Sequence, residues 1–288
     1  MSQNQVLKQR AITGVIFGAV LIVLILSGKY GAMALGFTIL SVGTFEYVRM
    51  IFPLDSNKTI TVLGLNIVAA ALIIFLVKPY SVAYLYVNIF SCLALLAGIA
   101  NLYKPFINHN KWYLLISWLY LGLPLGLFLS FVYNHDIYNG FFWLGLFIMI
   151  WMSDSFAYLV GSRIGKRKLF EKISPGKSWE GFLGAGVLTL FIAYLLGINA
   201  FSNTKQLYNL NSNYFSNTGI FWVLVATIAW TIGTWGDLVE SSIKRTFNIK
   251  DSGKLLPGHG GILDRFDSYI YILPFILLLL FFCTNPIG

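Results

Sequence analysis

Long apolar segments separated by short polar connections dominate the hydrophobic pattern of this 288-residue chain. Several of these segments approach the roughly 20 residues that a helix needs to cross the hydrocarbon of a bilayer. Because helices satisfy their own backbone hydrogen bonds in lipid, the pattern predicts an all-α integral membrane protein, a polytopic helical bundle of about nine transmembrane helices. The predicted spans lie near 11–28, 32–52, 60–77, 82–100, 113–133, 140–160, 181–199, 219–236 and 268–284.

Composition supports this class. The chain is 57% hydrophobic and only 11% charged, whereas soluble domains are about a quarter charged. The net charge of +9 would suit a nucleic-acid ligand in a soluble protein, but basic loops in a membrane protein set orientation, so no nucleic acid is expected. Cys92 and Cys283 lie in apolar segments without metal-ligand spacing and are expected to be packing residues. The first apolar segment lacks a small-residue cleavage site, so no cleaved signal is expected.

The distribution of basic residues predicts the orientation of the spans. With the N-terminus in the cytoplasm, 17 of the 20 Lys and Arg residues fall on the inner side of nine spans. The outer side holds only Lys29, Lys78 and Lys205, and the Asn/Ser-rich connection 199–218. The positive-inside rule therefore predicts a cytoplasmic N-terminus and a C-terminus outside.

Polar chemistry is concentrated in the second half of the chain. Residues 1–135 are predicted to form an N-terminal transmembrane scaffold, and residues 136–288 a catalytic transmembrane region with two cytoplasmic polar loops, 161–180 and 237–267. In the first half, Glu46 lies inside the second span with Arg49 three residues later, and a pair between them at the membrane boundary is expected.

The stretch 236–267 carries five carboxylates and five Lys or Arg residues, a composition suited to divalent metal and polyphosphate. Asp237, Ser241 and Lys244 recur at i, i+4 and i+7, so a helix continuing the eighth span would place them on one face. Mg²⁺ binds one or two carboxylates and leaves its other positions to water and phosphate. The alternative is a helix end with an ordinary solvated face.

Two further features of the stretch bear on chemistry. The run Pro257-Gly258-His259-Gly260-Gly261 permits positive φ and can aim N–H groups at an anion, although a structural turn fits it equally well. Asp264 and Asp267 are spaced to share a helical face just before the last span, where two acids need metal or lysine partners. A structural salt-bridge network is the alternative for this pair.

The segment 151–181 is the predicted facing half of the site. Asp154 lies in the run 151–158 that ends the sixth span, at a membrane depth where an acid is a functional candidate, against a buried structural hydrogen bond as the alternative. Ser174-Pro175 fits a helix N-cap with proline at the first position, which would bring Lys177 near a helix N-terminus that attracts phosphate. Six cations in this loop would otherwise serve topology alone.

The pattern Ser241-x-Ile243-Lys244-Arg245-x4-Lys250-Asp251-x-Gly253-x2-Leu256-Pro257-x-His259-Gly260-Gly261-Ile262-x-Asp264-Arg265-Phe266-Asp267 resembles the signature of the phosphatidate cytidylyltransferases (CDP-diacylglycerol synthases) at all 27 positions. The upstream residues Asp154, Ala157-Tyr158, Gly161-x-Arg163 and Ser174-Pro175-x-Lys177-x-Trp179-Glu180-Gly181 are similar to the same family. The resemblance covers roughly residues 150–267, and only the multi-span pattern extends it upstream.

The resemblance implies that CTP and phosphatidic acid give CDP-diacylglycerol and pyrophosphate, for phospholipid synthesis. It implies a magnesium enzyme, with a second cation left open, a homodimer, membrane lipids as surroundings, and an active site on the cytoplasmic face of a bacterial inner membrane. The catalytic candidates are Asp237, Asp264, Asp267, Lys244 and Arg245, and the metal candidates are Asp237, Asp264, Asp267 and Asp154. The candidates for binding the phosphates are Ser241, Lys250, His259, Gly260, Gly261, Arg163, Lys166 and Lys177.

Two other functions remain open at this stage. A related enzyme would use CTP on another lipid phosphate, of the archaeol or polyprenol type. A transporter, or a lipid-binding protein with a polar midplane site, belongs to a different class. A transporter places its charges and interrupted helices near the bilayer centre, whereas the charges here cluster toward one face.

Overall fold

The structure is a computed structural model that describes residues 3–104, 107, 109–135, 138–202, 217–258 and 260–284. Within these residues, helices account for nearly all of the regular structure, and one hairpin of two short strands interrupts them. The helices are α1 (Gln3–Leu26), α2 (Lys29–Ile51), α3 (Ser56–Leu76), α4 (Val82–Tyr103), α5 (His109–Ser117), a π-helical turn (Trp118–Gly122), α6 (Leu123–Asn134), α7 (Gly140–Ile164), α8 (Trp179–Ile198), α9 (Thr218–Thr246) and α10 (Leu263–Thr284). The strands are β1 (Lys168–Phe170) and β2 (Ser174–Ser178).

The predicted class, a polytopic helical membrane protein, is confirmed. Eight helices of the described residues are long and apolar enough to cross a membrane, and they coincide with the second to ninth predicted spans. The first predicted span is also helical, but its apolar part, Ala11–Leu26, is shorter than the others. Several helices outrun the predicted spans: α7 continues to Ile164 and α9 to Thr246. The polar residues that follow these spans in sequence are therefore helical.

The fifth span is one helical rod with a π-helical turn in its middle. The N–H of Leu123 bonds to the carbonyl of Trp118, five residues back, and Pro124 follows without an N–H to donate. Beside this turn, the buried side chain of Asn66 donates hydrogen bonds to Thr44 Oγ1 at 3.1 Å and Ser117 Oγ at 2.8 Å. This polar contact fixes α2, α3 and α5 to one another in the first half of the bundle.

The connection between α7 and α8 differs from the sequence prediction. Ser174 and Pro175 do not begin a helix: they lie in β2, which pairs antiparallel with β1. The N-cap of α8 is Ser178, whose Oγ accepts a 3.2 Å hydrogen bond from the Gly181 N–H. Ser178 is the cap because the pairing of β2 with β1 keeps Ser174 and Pro175 extended, and Glu180, in the first turn of α8, complements the positive end of the helix. The helix therefore begins four residues later than predicted, and Lys177 directly precedes its cap.

Helix α10 lies at the centre of the bundle. Its residues 269–273 are all at most 2% exposed, and it packs against α4 and α6 from the first half of the chain and α9 from the second. Two glycines of α9 face it closely: a Cβ on Gly236 would lie 2.5 Å from Tyr271 Cβ, and one on Gly233 would lie 3.6 Å from Ser268 Cβ. Glycine at 236 thus lets α9 approach α10 at the level of the acidic residues. The division of the chain at residue 135 stays a prediction.

Candidate active site

The C-terminal turns of α9 carry the predicted polar face. Because α9 continues to Thr246, Asp237, Ser241 and Lys244 do lie on one side of a helix, as their spacing predicts. Ser241 Oγ donates a 3.2 Å hydrogen bond to Asp237 Oδ1. Ser241 and Lys244 are buried at 9% and 8% exposure, so this face is not a solvated helix end.

Three carboxylates from α9 and α10 meet at this level. Asp237, Glu240 and Asp267 each offer an oxygen, and these oxygens all lie within 4.8 Å of one another. Asp267 is buried and Glu240 is fully buried. Lys244 forms an ion pair with Glu240 Oε2, and within the described part of the chain no hydrogen-bond donor reaches Oε1.

The donor set of this trio fits a hard divalent cation. Mg²⁺ takes oxygen ligands, and a cation would satisfy Glu240 Oε1, which no N–H or O–H of the described residues reaches, whereas Oε2 is paired with Lys244. Acids buried at membrane depth also require compensating positive charge. Glu240 is a candidate that the sequence analysis missed. Its signal was available, since residue 240 lies one helical turn beyond Asp237.

Lys177 joins the hairpin to the carboxylates, as the prediction of two facing halves requires. Its Nζ lies 2.6 Å from Asp237 Oδ2 and donates a 3.4 Å hydrogen bond to the carbonyl of Thr234. Burial acts to lower the pKa of Lys177, but attraction and hydrogen bonding to Asp237 outweigh it, and the pKa stands above its ordinary value. This ammonium group is therefore charged at neutral pH.

Asp264 occupies a different position from the trio, although it lines the same cavity. Lys244 Nζ donates a 2.7 Å hydrogen bond to its Oδ1, and the backbone N–H groups of Ser252 and Gly261 bind its oxygens at 2.7–3.1 Å. Gly260 has φ +83°, and a Cβ there would lie 2.5 Å from Asp264 Oδ2. Asp264 thus fixes Ser252 and Gly261 to the start of α10.

The glycine segment is shaped by these contacts. The Gly261 N–H, predicted to face an anion, is directed at the carboxylate of Asp264. The phosphate-binding assignment of Gly260 and Gly261 stays a prediction, and His259 lies outside the described residues.

Glu46 of α2 is a second residue that the sequence analysis did not place in the site. The predicted pair with Arg49 is wrong: Arg49 lies over the Phe45 ring, and Glu46, 4% exposed, turns inward. Its carboxylate accepts hydrogen bonds from Ser252 Oγ at 2.9 Å, the Ile262 N–H at 3.0 Å and the Leu263 N–H at 2.8 Å. A sequence separation of more than two hundred residues hid this contact from any local pattern.

Asp237, Lys244, Asp264 and Asp267 border a polar cavity of about 640 Å³. Asp154, exposed on α7, faces into it together with the carboxylates of α9 and α10. Its charged lining is Asp154, Asp237, Lys244, Arg245, Lys250, Asp251, Asp264, Arg265 and Asp267. A neighbouring cavity of about 260 Å³, on the side of Lys177 and Tyr158, shares Asp154 and Asp237 with it. The structure therefore brings together most of the residues predicted from the two polar segments.

Two predicted cations lie apart from both cavities. Arg163 is exposed near the end of α7, where its guanidinium donates a hydrogen bond to the carbonyl of Leu159. Lys166 is also exposed, and its backbone N–H donates to Glu180 Oε2 at 3.0 Å. Arg245 lies at the cavity edge and links segments, since it donates hydrogen bonds to the carbonyls of Ile173 and Ile249.

The fold and this geometry define a polytopic helical membrane protein with a buried acidic and basic site. Residues 8–283 match the model of the cytidylyltransferase family, and the chain belongs to that family. It is 33% identical over 280 residues to the phosphatidate cytidylyltransferase of Bacillus subtilis (strain 168), which spans 95% of this chain and 97% of that protein. The protein of the same name from Staphylococcus aureus (strain COL) is 32% identical over 282 residues, 95% of this chain and 99% of that protein. The Haemophilus influenzae protein of that name is 45% identical over 151 residues, 52% of this chain and 49% of its own.

Proposed function

We propose that this chain transfers the cytidylyl group of CTP to phosphatidic acid, giving CDP-diacylglycerol and pyrophosphate. The observation that carries the proposal is the meeting of Asp237, Glu240 and Asp267 with Lys177 and Lys244 beside a large polar cavity. The family membership and the names of its relatives support it. A phosphate oxygen of the lipid attacks the α-phosphorus of CTP, a new P–O bond forms, and the bond to the pyrophosphate breaks with its electron pair on the leaving group.

The trio of Asp237, Glu240 and Asp267 is the proposed Mg²⁺ site. When bound, Mg²⁺ neutralises phosphate charge and polarises the phosphoryl group for attack. Asp154, across the same cavity, is the proposed ligand of a second cation. Asp264, a metal candidate by sequence, has oxygens that accept hydrogen bonds from Lys244 and the loop, so we assign it a positioning role.

The cations around the two cavities are proposed to bind the phosphates of both substrates. Lys177 pairs with Asp237, and Lys244 pairs with Glu240 and Asp264, so the two cations offset the repulsion among the carboxylates and present charge to the phosphates. Arg245, Lys250 and Arg265 line the outer part of the cavity, where a triphosphate would meet them. Such transfers depend mainly on positioning and charge neutralisation. The reaction needs no strong base, because a phosphate nucleophile is largely ionised near neutral pH.

The charge count supports an active site on the cytoplasmic face of the bacterial inner membrane, with the N-terminus inside. CTP then arrives from the cytoplasm and the lipid from the bilayer. The homodimer implied by the resemblance belongs to the proposal as well, and light scattering of the protein in detergent tests it.

The test is conversion of labelled CTP by purified protein with phosphatidic acid, with and without Mg²⁺. We expect a liponucleotide and pyrophosphate in equal amounts, and only with Mg²⁺ present. A panel with archaeol and polyprenol phosphates separates the related lipid enzymes, which would prefer those substrates. Absence of any liponucleotide from a folded, detergent-stable preparation would refute the proposal.

A further inference from the structure

A second, apolar cavity lies beside the polar one. It has a volume of about 420 Å³ and lies between α1, α2 and the segment that leads into α10. Its lining runs along α1 from Thr13 to Leu24 and along α2 from Leu35 to Ile39. We name this cavity the α1–α2 groove. Its walls are apolar apart from two threonines, so it cannot serve a nucleotide.

The apolar residues of the signature segment close the groove on its third side. Leu256, Pro257, Ile262 and Phe266 all line it. The chemistry proposed for the polar cavity uses the charged residues of this segment. It assigns no role to these four apolar residues. Phe266 lies between Arg265 and Asp267, which face the polar cavity. The same turn of α10 thus serves both cavities.

The two cavities are neighbours and share Phe17 as a wall. This residue lines both of them, and its ring lies 5.7 Å from that of Phe266 in an edge-to-face contact. On the polar side of Phe17, Gly14 and Gly18 form the wall, and no heavy atom lies within 4 Å of a Cβ built on Gly18. On the other side, the groove continues for nearly two helical turns from Phe17 to Leu24, about 10 Å along α1.

We propose that the α1–α2 groove holds one acyl chain of the phosphatidic acid while the lipid phosphate lies in the polar cavity. The proposal rests on the function proposed above. A phosphatidic acid joins an anionic phosphate to long apolar chains within a few bonds, and the structure places an apolar groove directly beside its polar cavity. Ile16 and Val20, 57% and 52% exposed, lie at the groove's outer side, where a chain enters from the bilayer.

The groove acts through position rather than through hydrophobic binding energy. An acyl chain that leaves the bilayer for the groove exchanges one apolar environment for another, so little transfer energy is gained. The seated chain instead fixes where the phosphate stands relative to the carboxylates. Misplacement by about 1 Å can lower a rate by about 100-fold.

The test fills the groove and compares lipids of different chain length. Val20→Trp and Thr38→Trp each place a bulky ring in the groove from an exposed position, which limits damage to the core. Val23→Trp is the matched control, because Val23 is 65% exposed on α1 and does not line the groove. With dioleoyl phosphatidic acid, the groove variants should lose about 10- to 100-fold in kcat/KM. With the dihexanoyl lipid they should stay close to wild type, and the KM for CTP should not change.

A crosslinking measurement tests occupancy without relying on turnover. Phosphatidic acid with a diazirine in the middle of one acyl chain should label the peptide containing Val20 and Leu24. Excess unlabelled lipid and the Thr38→Trp change should both reduce the labelling.

Four outcomes separate the two proposals. Equal losses with both lipids, or no loss with either, would overturn the groove proposal while wild-type turnover leaves the proposed function standing. Labelling that stays outside α1 and α2 would overturn it as well. A wild-type protein that converts no phosphatidic acid would instead refute the function on which the groove depends.

Discussion

Glu46 of α2 accepts a 2.9 Å hydrogen bond from Ser252 Oγ, a residue 206 positions further along the chain. The same carboxylate accepts hydrogen bonds from the N–H groups of Ile262 and Leu263, so it caps the start of α10 from another helix. Asp264 binds the other side of the same loop. The loop of the candidate site is therefore held between an acid of α10 and an acid of the first half of the chain.

Replacing Glu46 by alanine should loosen this loop. Three buried donors would lose their acceptor, which costs about 1–3 kcal/mol for each group left unsatisfied. We expect a lower melting temperature in detergent, faster proteolysis between residues 250 and 262, and a lower kcat. Arg49→Gln is the control, since Arg49 lies exposed over Phe45, and it should behave as wild type. Unchanged proteolysis and turnover in Glu46→Ala would show that the loop keeps its shape without this acceptor.

Asp267→Asn and Glu240→Gln should each remove charge from the proposed metal site with little change in shape. Turnover should fall by about 100-fold or more, in line with the loss of one electrostatic group at a transition state. The Mg²⁺ concentration for half-maximal activity should rise where activity remains measurable. Glu171→Gln, an exposed acid of the hairpin turn, serves as the matched control. Near-normal turnover in purified Asp267→Asn would exclude this residue as a ligand.

Lys177→Ala should weaken catalysis more than loss of either exposed cation nearby. A charge-assisted contact contributes about 1.5–3 kcal/mol, which corresponds to about a 10- to 150-fold loss in kcat/KM. Lys166→Ala and Arg163→Ala, whose residues lie outside both cavities, should stay within about twofold of wild type. Comparable losses in all three variants would indicate a general effect of loop charge.

The raised pKa of Lys177 gives a pH prediction. A group whose folded-state pKa is raised contributes stability that is fully present below its unfolded value, about 10.4 for lysine, and is lost as pH rises through the folded value. Its contact with Asp237 should thus persist throughout the neutral and mildly alkaline range. A melting temperature that Lys177→Ala lowers by the same amount at pH 7 and pH 9 would agree. A difference that disappears by pH 9 would contradict the assignment.

Gly236→Ala should separate α9 from α10. The added Cβ would lie 2.5 Å from Tyr271 Cβ, and overpacking of this kind destabilises by about 1–3 kcal/mol. Activity should fall with stability, because Asp237 and Asp267 come from the two helices that would be pushed apart. Gly233→Ala, one turn earlier, adds a Cβ at an ordinary 3.6 Å from its neighbour and should be tolerated. Equal thermal stability of the two variants would show that α9 and α10 adjust without loss.

The parts of the structure that follow local rules were predictable. Hydropathy located the helices, because a span of apolar residues is specified by its own sequence. Helical spacing placed Asp237 and Lys244 on one face, because each residue's direction depends only on its neighbours. The site prediction failed where the answer depended on distant residues. Glu46 was paired with Arg49 because nothing near Glu46 in sequence indicated that it accepts hydrogen bonds from Ser252, Ile262 and Leu263.

Competition between nearby signals explains the other difference. Ser174-Pro175 and Ser178 both satisfy the rules for a helix start, and pairing of β2 with β1 decides in favour of Ser178. Glu240 was passed over because the i, i+4, i+7 pattern from Asp237 selects Ser241 and Lys244. The i, i+3 position turned out to face Asp267 as well. Helical periodicity alone does not show whether the i+3 position or the i+4 and i+7 positions face the site.

The bond between Glu46 and the start of α10 also bears on the order in which the chain matures. The donors at positions 262 and 263 leave the ribosome after nearly all of the bundle, and closing so long a loop is slow. The helices can enter the membrane one after another, yet the 252–261 segment finds its acceptor only when α10 docks against α2. The site is thus completed at the last stage of assembly. A nascent chain that stops short of α10 contains the acids of α9 but lacks Asp264 and Asp267, so its site is incomplete.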